Sequence, residues 1–377
     1  MAMKKIIDLG NIPLVNNLFN TAEESVNAKR FPLRIMQEDN LIMKLDTEID
    51  SDEMFSNYLY RSSVNLPYVE HCKKMWRSIE KYKPKNIVDI GGNDGALLKA
   101  FQETAGYNLN LTNVDASSSF IKENEKFGIK YYNKYWGDFL LENKVDLIVS
   151  TNVFQHNPNY RRFLDGISKN LDGRWILEFP YFLETVKTNQ FDQIYHEHVY
   201  YWLVTPLVKL FKEYGLKIID ISEQSIHGGS LRIISSNRQE DKENQDVINN
   251  YLKLESEFDF DKWALDIENK IKSDKEFINN LKGSIAVFGA AAKGCVYLNC
   301  LEVQDRISYM VDDTLEKQNK YSPGSKLKIM NREFLIKNQP DYLIILAHNF
   351  KDYIAQSLGK DGYKGQILVM LPTIQII

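Results

Sequence analysis

Hydrophobic patterning divides the chain into three stretches. Residues 1–83 show no clean period and carry turn signals at Gly10-Asn11-Ile12-Pro13, Phe31-Pro32 and Leu66-Pro67. At 68–82 the pattern turns helical, with Val69, Cys72, Met75, Trp76 and Ile79 on one face and Lys and Arg on the other. Pro84 ends that helix. From there short apolar runs alternate with helical ones. NIVDI at 86–90 predicts a buried strand that ends in glycines, 96–103 a helix, and 109–114, 145–150 and 174–179 three further strands. Such a β-α-β succession implies a parallel sheet with helices on both faces. Two more strands, 216–223 and 231–236, flank Ser225-Ile226-His227-Gly228-Gly229 as a late hairpin. Residues 238–282 are highly charged with a helical period and read as a connector. A second α/β unit then starts at 284–288, runs into Gly289-Ala-Ala-Ala-Lys293-Gly294, and continues with strands at 307–311, 342–346 and 366–370. No sequence repeat relates the two units.

Length and composition narrow the class. With 377 residues the chain has room for two or three domains. Hydrophobic residues at 44% and charged residues at 26% are ordinary globular usage and argue against disorder. A net charge of −4 points to neither a nucleic-acid footprint nor a polybasic membrane patch. No apolar run approaches the ~18–20 residues of a transmembrane helix, and Asp8 and Asn11 interrupt what would have to be the apolar part of a signal peptide. A cytoplasmic protein is expected, with monomer as the default. Cys72, Cys295 and Cys300 are scattered and form neither a disulfide framework nor a CxxC clamp.

Candidate chemistry gathers where strands end. Gly91-Gly92-Asn93-Asp94-Gly95 follows the first buried strand, and glycines there let backbone approach a ligand at the carboxyl edge of the sheet. The turn lacks the GxGxxG dinucleotide spacing, which weakens a nicotinamide reading. Asp115 closes the second strand, where a carboxylate can take both hydroxyls of a ribose; alone it would read equally as a surface turn acid. Asp138 and Phe139, in Tyr135-Trp136-Gly137-Asp138-Phe139, offer an acid and an aromatic where an adenine would lie, and Asn152 lies just beyond the third strand in Ser150-Thr151-Asn152-Val153-Phe154-Gln155-His156. In order, these match the cofactor signals of a class I S-adenosylmethionine (SAM) methyltransferase, and a late hairpin closing a parallel sheet is typical of that version of the fold.

The densest polar and aromatic stretch is Glu178-Phe-Pro-Tyr181, then Phe191-Asp-Gln-Ile-Tyr195-His196-Glu197-His198-Val-Tyr200-Tyr201, then His227-Gly-Gly-Ser230-Leu-Arg232. Five of the six histidines (156, 196, 198, 227 and 348) lie in or beside motifs, and His71 alone has no assigned duty. His196-x-His198 lacks the spacing that puts two metal ligands on one helix face, and there is no HExxH. A general base is the better reading, because imidazole titrates near ~6.5 and accepts a proton at cellular pH; satisfied structural histidines are the alternative. Lys293, after a glycine-alanine turn, suits a pyrophosphate or is a surface lysine at a helix start.

The blocks LGNIPLVNNLF, FSNYLYRSS, IGGNDG, EFPY, FDQIYHEHVYY, HGGSLR, GAAAKG and YSPG follow one another as in the sugar C-methyltransferase family, which this chain resembles over almost its full length. Its best-described members are SAM-dependent 3-C-methyltransferases acting on dTDP-linked 4-keto-deoxysugars. The resemblance implies an α/β architecture in three parts: an N-terminal lobe (1–80), a central class I methyltransferase domain with a Rossmann-like, mostly parallel sheet (81–240), and a helical connector with a C-terminal Rossmann-like nucleotide-sugar lobe (241–377). It implies that His198 is the base removing the proton next to the ketone, that Tyr195 and Glu197 hold the sugar, and that Gly91, Asn93, Asp115 and Asn152 surround SAM. Tyr60, Tyr181, His196, His227, Lys293 and Tyr321 are the further substrate-binding candidates. Two departures stand out. Family members carry CxxC pairs around the N-terminal segments, whereas here Gln37-Glu38-Asp39-Asn40 stands at the second; four thiolates close a structural zinc site, so no metal is expected. Ala347-His348-Asn349 has histidine where the family usually has tryptophan. The expected function is SAM-dependent methylation of a carbon beside a ketone in a nucleotide-linked keto-deoxysugar. The competing readings are O- or N-methylation of a sugar-like metabolite and a non-catalytic nucleotide-sugar-binding protein.

Overall fold

Short apolar runs that end in glycine or asparagine form the parallel strands at the centre of the protein. A computed structural model describes residues 3–38, 41–50, 54, 61–64 and 66–377. The central sheet is built from β4 (Asn86–Ile90), β5 (Asn110–Asp115), β6 (Lys130–Asn133), β7 (Val145–Thr151), β8 (Leu171–Pro180), β10 (Lys217–Gln224) and β11 (Ser230–Ser236). Their order is β10-β11-β8-β7-β4-β5-β6. Strands β4 to β8 pair in parallel, and β11 enters antiparallel between β8 and β10. This is the strand order of the class I methyltransferase fold, with the hairpin expected from the sequence. The chain leaves β4 toward β5 and β6, then returns on the other side through β7. The carboxyl ends of β4 and β7 therefore form a topological switch point, where open α/β sheets bind ligands.

A second sheet comprises β12 (Ile285–Phe288), β13 (Met310–Val311), β14 (Ile329–Met330), β15 (Tyr342–Ile345), β16 (Gln366–Val369) and β17 (Gln375–Ile376), ordered β14-β13-β12-β15-β16-β17. It is parallel except for β17. The charged connector forms two helices, Gln245–Ser256 and Phe260–Asn280. Among the described residues, no helix is long and apolar enough to cross a membrane.

The N-terminal stretch, without a period in the sequence, is nevertheless a sheet. β1 (Lys4–Pro13), β2 (Arg30–Glu38) and β3 (Ile42–Leu45) pair antiparallel, and β9 (Tyr200–Tyr201) joins β3 as the fourth strand. Register shifts between Lys5 and Ile7 and between Asp8 and Asn11 break the alternation of β1, which hides it from a period-2 search. The helix Leu66–Ile79 precedes the central sheet in sequence but packs on it. Trp76 lies 5.1 Å from the Phe101 ring on the helix Ala96–Thr104. One continuous apolar core links the three sheets, from Ile7, Leu33 and Ile35 through Trp175, Phe182 and Trp202 to Ile285 and Leu298.

Candidate active site

β4 delivers the chain into Gly91, whose N–H donates to Val114 O (2.8 Å) at a φ of +68°. Gly92 is the tightest point. A Cβ there would lie 2.5 Å from Asn113 Oδ1 and 2.7 Å from Asp89 Oδ2, so only glycine leaves the turn this close to the strand. The Asn93 N–H donates to Asp115 Oδ2 (2.9 Å) and the Ser117 N–H to Asp115 Oδ1 (2.8 Å). The Asp115 carboxylate thus ties the turn to the end of β5. Asn113 and Asn124 both donate to Asn93 O (3.0 and 3.1 Å). The segment before the helix Leu66–Ile79 closes one side: Ser62 N–H donates to Asn93 Oδ1 (3.2 Å), and Ser63 Oγ to Asp94 Oδ2 (2.6 Å).

Across the crevice, Asn152 follows β7 at a φ of 54° with its N–H on Glu178 O (2.9 Å). Its Oδ1 is buried and has no hydrogen-bond partner among the described residues, and the same holds for both amide atoms of Gln155. A buried polar atom left unpaired costs about 1–3 kcal/mol, so these atoms fit a polar ligand seated over the glycine turn. The other adenine-side candidates are engaged elsewhere. Asp138 is exposed and paired with Arg162 (2.5 Å), and the Phe139 ring packs on Tyr132 and Trp136 (5.2 and 6.3 Å).

The segment from Phe191 to Tyr201 brings the histidines in. A single 3-10 turn, Phe191–Gln193, leads to a turn in which His198 N–H donates to Tyr195 O (3.0 Å) before β9. His198 Nδ1 lies 3.2 Å from Gln193 O. A carbonyl can only accept, so Nδ1 carries the proton and Nε2 is the basic nitrogen. The ring sits 4.1 Å from the Tyr195 ring and 5.0 Å from His156. His156 Nδ1 in turn donates to Glu197 O (2.6 Å), and burial pulls its imidazole down to about 4 against that bond. His156 is the site residue that motif reading left without a role. Its place directly after the third parallel strand, at the switch point, was the available signal.

Alternate residues of the YHEH motif face different partners. Glu197 accepts a hydrogen bond from Asn16 Nδ2, and burial pushes its carboxyl up to about 7 despite that bond. His196 contacts the N-terminal sheet, and its Nδ1 is buried with no hydrogen-bond partner among the described residues. Its Nε2 bonds Pro32 O (3.2 Å) on β2 and its ring meets Phe31 edge-on, so it ties this segment to the N-terminal sheet. Tyr181 is buried and bonded in the core. Its hydroxyl donates to the buried Glu255 Oε1 (2.7 Å), whose carboxylate also takes the Val204 and Thr205 N–H groups. Tyr321 exchanges backbone hydrogen bonds with Phe19 (2.8 and 3.1 Å), joining the N-terminal stretch to the second α/β unit. Lys293 lies in the first turn of the helix Ala292–Leu301, which follows β12, and burial lowers its pKa against the attraction of Asp192. Tyr60 lies outside the described residues, and of His227 only the backbone, in the turn Ile226–Gly228, is described.

The Glu197 shift has a stability consequence. The folded protein holds this proton up to about pH 7, whereas an unfolded glutamate releases it near 4.5. Between those limits the folded state binds more protons, so this group's contribution to stability falls as pH rises. Glu197→Gln should flatten that part of the curve, as read by urea midpoints across the window; an unchanged slope would refute the assignment.

Two motifs meet beneath the crevice. Arg232 of HGGSLR pairs in register with Glu178 of EFPY across β11 and β8. Its Nε donates to Glu178 Oε2 (2.9 Å), its Nη2 lies 2.8 Å from the same oxygen and 3.1 Å from His71 Nε2, and His71 Nε2 stands 2.6 Å from Glu178 Oε1. Burial pushes the Glu178 carboxyl up, but the bonds and charges of His71 and Arg232 hold it below its ordinary value. His71, unassigned in the sequence, thus has a structural duty.

Comparison with known proteins finds two family matches and full-length similarity to one relative. A family model described as the C-methyltransferase C-terminal domain matches residues 225–372, and one described as a methyltransferase domain matches residues 60–221. The C-methyltransferase NovU of Streptomyces niveus is 26% identical over 99% of this chain and 94% of its own length. Among solved structures, the 1,6-didemethyltoxoflavin-N1-methyltransferase of Burkholderia thailandensis covers 52% of this chain and 93% of its own at 15% identity and a TM-score of 0.38. The magnesium protoporphyrin IX methyltransferase of Synechocystis PCC 6803 covers 51% and 100% at 14% identity and a TM-score of 0.38.

Proposed function

We propose, for a chain that is a SAM-dependent methyltransferase of the C-methyltransferase family, that it methylates a carbon beside a ketone in a nucleotide-linked keto-deoxysugar, with His198 as the general base. When bound, SAM supplies an electrophilic methyl group, so the accepting carbon must be made nucleophilic. A ketone beside that carbon spreads the resulting charge as an enolate once a base has taken the proton. The observation that carries this reading is the His198 ring: Nδ1 is held by Gln193 O, leaving Nε2 basic, and the ring faces His156 and Tyr195. His156 follows β7 at the switch point beside the glycine turn. A Cβ on Gly91 would lie 2.8 Å from Val153 of that same loop, so the two walls of the crevice are in contact. In this reading Tyr195 orients the sugar, while Asn93, Asp115, Asn152 and Gln155 surround the cofactor.

A nucleotide-linked substrate is supported by the second α/β unit, which repeats the backbone geometry of the first. Gly289 N–H donates to Val311 O (2.8 Å), Ala290 N–H to Asp312 Oδ2 (2.8 Å) and Thr314 N–H to Asp312 Oδ1 (2.9 Å). Gly91, Asn93 and Ser117 make the corresponding bonds to Val114 and Asp115. In the proposed division, residues 81–240 hold the cofactor and 241–377 the nucleotide. Lys293 suits the pyrophosphate because it opens the helix after β12, where backbone amides favour anions.

The test is mass spectrometry of the protein with SAM and a panel of nucleotide-linked 4-keto-6-deoxysugars in D₂O. A product heavier by one methylene, with deuterium entering the remaining substrate at the carbon beside the ketone, is expected. Methyl transfer to a hydroxyl or amine without that exchange would overturn the carbon-methylation reading.

A further inference from the structure

The turn that holds His198 is itself gripped from the C-terminal unit. His348 lies in the turn His348–Phe350, directly past the end of β15, and its ring is buried against the segment 190–193 rather than offered as a stacking surface. Its Nε2 lies 3.1 Å from Gln190 Oε1, and its Nδ1 lies 3.5 Å from Asp192 Oδ2. One imidazole thus packs against both Gln190 and Asp192. Gln193 Nε2 closes it by donating to the same Gln190 Oε1 (3.1 Å). From the helix Ala292–Leu301, Tyr297 stacks on Phe191 at 5.7 Å, and Lys293 attracts the Asp192 carboxylate. Asp192 is 1% exposed, and its Oδ1 has no hydrogen-bond partner among the described residues, so its charge is met only by the nearby His348 ring and Lys293. The residue after Asp192 is Gln193, whose carbonyl takes the Nδ1 proton of His198.

We propose that Asp192 and His348 are positioning residues that act across the boundary between the two α/β units: they hold the 190–193 turn so that the Gln193 carbonyl locks His198 with Nδ1 protonated and Nε2 unprotonated. Neither residue needs to touch the substrate. The role rests on His198 being the base. Free histidine has no such lock, and the ring nitrogen that stays basic is chosen by the hydrogen bond the other makes. A base supplied as the wrong tautomer, or turned out of line, loses most of its contribution.

The experiment is ¹⁵N NMR of the histidine-labelled full chain, with His198 assigned by the signal missing in His198→Asn. Wild type should show His198 as the Nδ1–H tautomer. Asp192→Asn and His348→Gln, which preserve approximate shape from opposite sides of the contact, should each convert it to a mixture or to Nε2–H. In turnover assays the same variants should lose about 10–100-fold in kcat, with the KM for SAM unchanged. Asp192→Glu should recover part of the loss. Retention of the Nδ1–H tautomer in both variants, whatever their melting temperatures, overturns the proposal. The tautomer readout needs no substrate. Failure to methylate any keto-sugar would therefore count against the proposed reaction, while the NMR result alone decides the positioning role.

Discussion

His198→Asn is expected to lower turnover by about 10²–10⁴-fold, the range a positioned general base contributes, and to leave SAM binding intact. The substitution isolates one atom. An asparagine amide can still donate to Gln193 O, as Nδ1 does now at 3.2 Å, so the turn before β9 keeps its closure. What disappears is the basic Nε2. His156 is a poor substitute as base, because burial holds its imidazole at about 4 and its Nδ1 is committed to Glu197 O. Methyl transfer measured by mass spectrometry, together with SAM affinity measured by calorimetry, checks both halves. Near-normal turnover in the variant would remove His198 from the base role and reopen O- or N-methylation.

The second large effect concerns stability. Arg232→Met should cost about 3–5 kcal/mol, the penalty for removing one partner of a buried ion pair. Glu178 is completely buried, and two of its three polar side-chain contacts come from Arg232, at 2.9 and 2.8 Å. His71, at 2.6 Å from the other oxygen, would be left as the sole counter-group. A hydrophobic replacement of similar length fills the volume, so the loss reports charge rather than a cavity. The melting temperature should fall by on the order of 10 °C. Cofactor affinity should weaken with it, since the Glu178 carbonyl holds the Asn152 N–H at the crevice. Replacing Glu178 and Arg232 together by apolar residues should recover much of the loss in a double-mutant cycle. A single Arg232→Met variant as stable as wild type would show that His71 suffices.

Legibility from sequence followed how local each feature is. A run such as NIVDI, closed by glycines, states its own geometry: β-rich residues bury on both faces, and Gly91 and Gly92 occupy backbone positions where a side chain would clash. The glycine turn, the acid at the end of β5 and the strand-and-helix alternation therefore appear in the structure where the sequence places them. The hairpin of β10 and β11 was readable for the same reason, since two strands around Gly228-Gly229 need no distant partner to form. β1 was not, because its register shifts interrupt the alternation that would announce a strand.

Side-chain direction was decided by the tertiary structure. His196 and His198 differ by two positions, yet one meets Pro32 on the N-terminal sheet and the other Gln193 in its own turn. In an irregular turn no period dictates which way a ring points, so contacts made far along the chain choose. Arg232 finds His71 across 161 residues, and His348 finds Gln190 across 158. Tyr181 sits in the EFPY motif, and its hydroxyl donates to the buried Glu255, which the Val204 and Thr205 N–H groups also hold from 51 and 50 residues away. By itself the sequence determined the class of sheet, the place of the glycine turn and the segment that carries the candidate base, all of which rest on propensity and sterics within a few residues. Only the tertiary structure decided which partner each histidine meets, which carboxylates are paired, and how the second α/β unit packs against the turn before His198. Those outcomes depend on burial and charge pairing between segments that chain order leaves far apart.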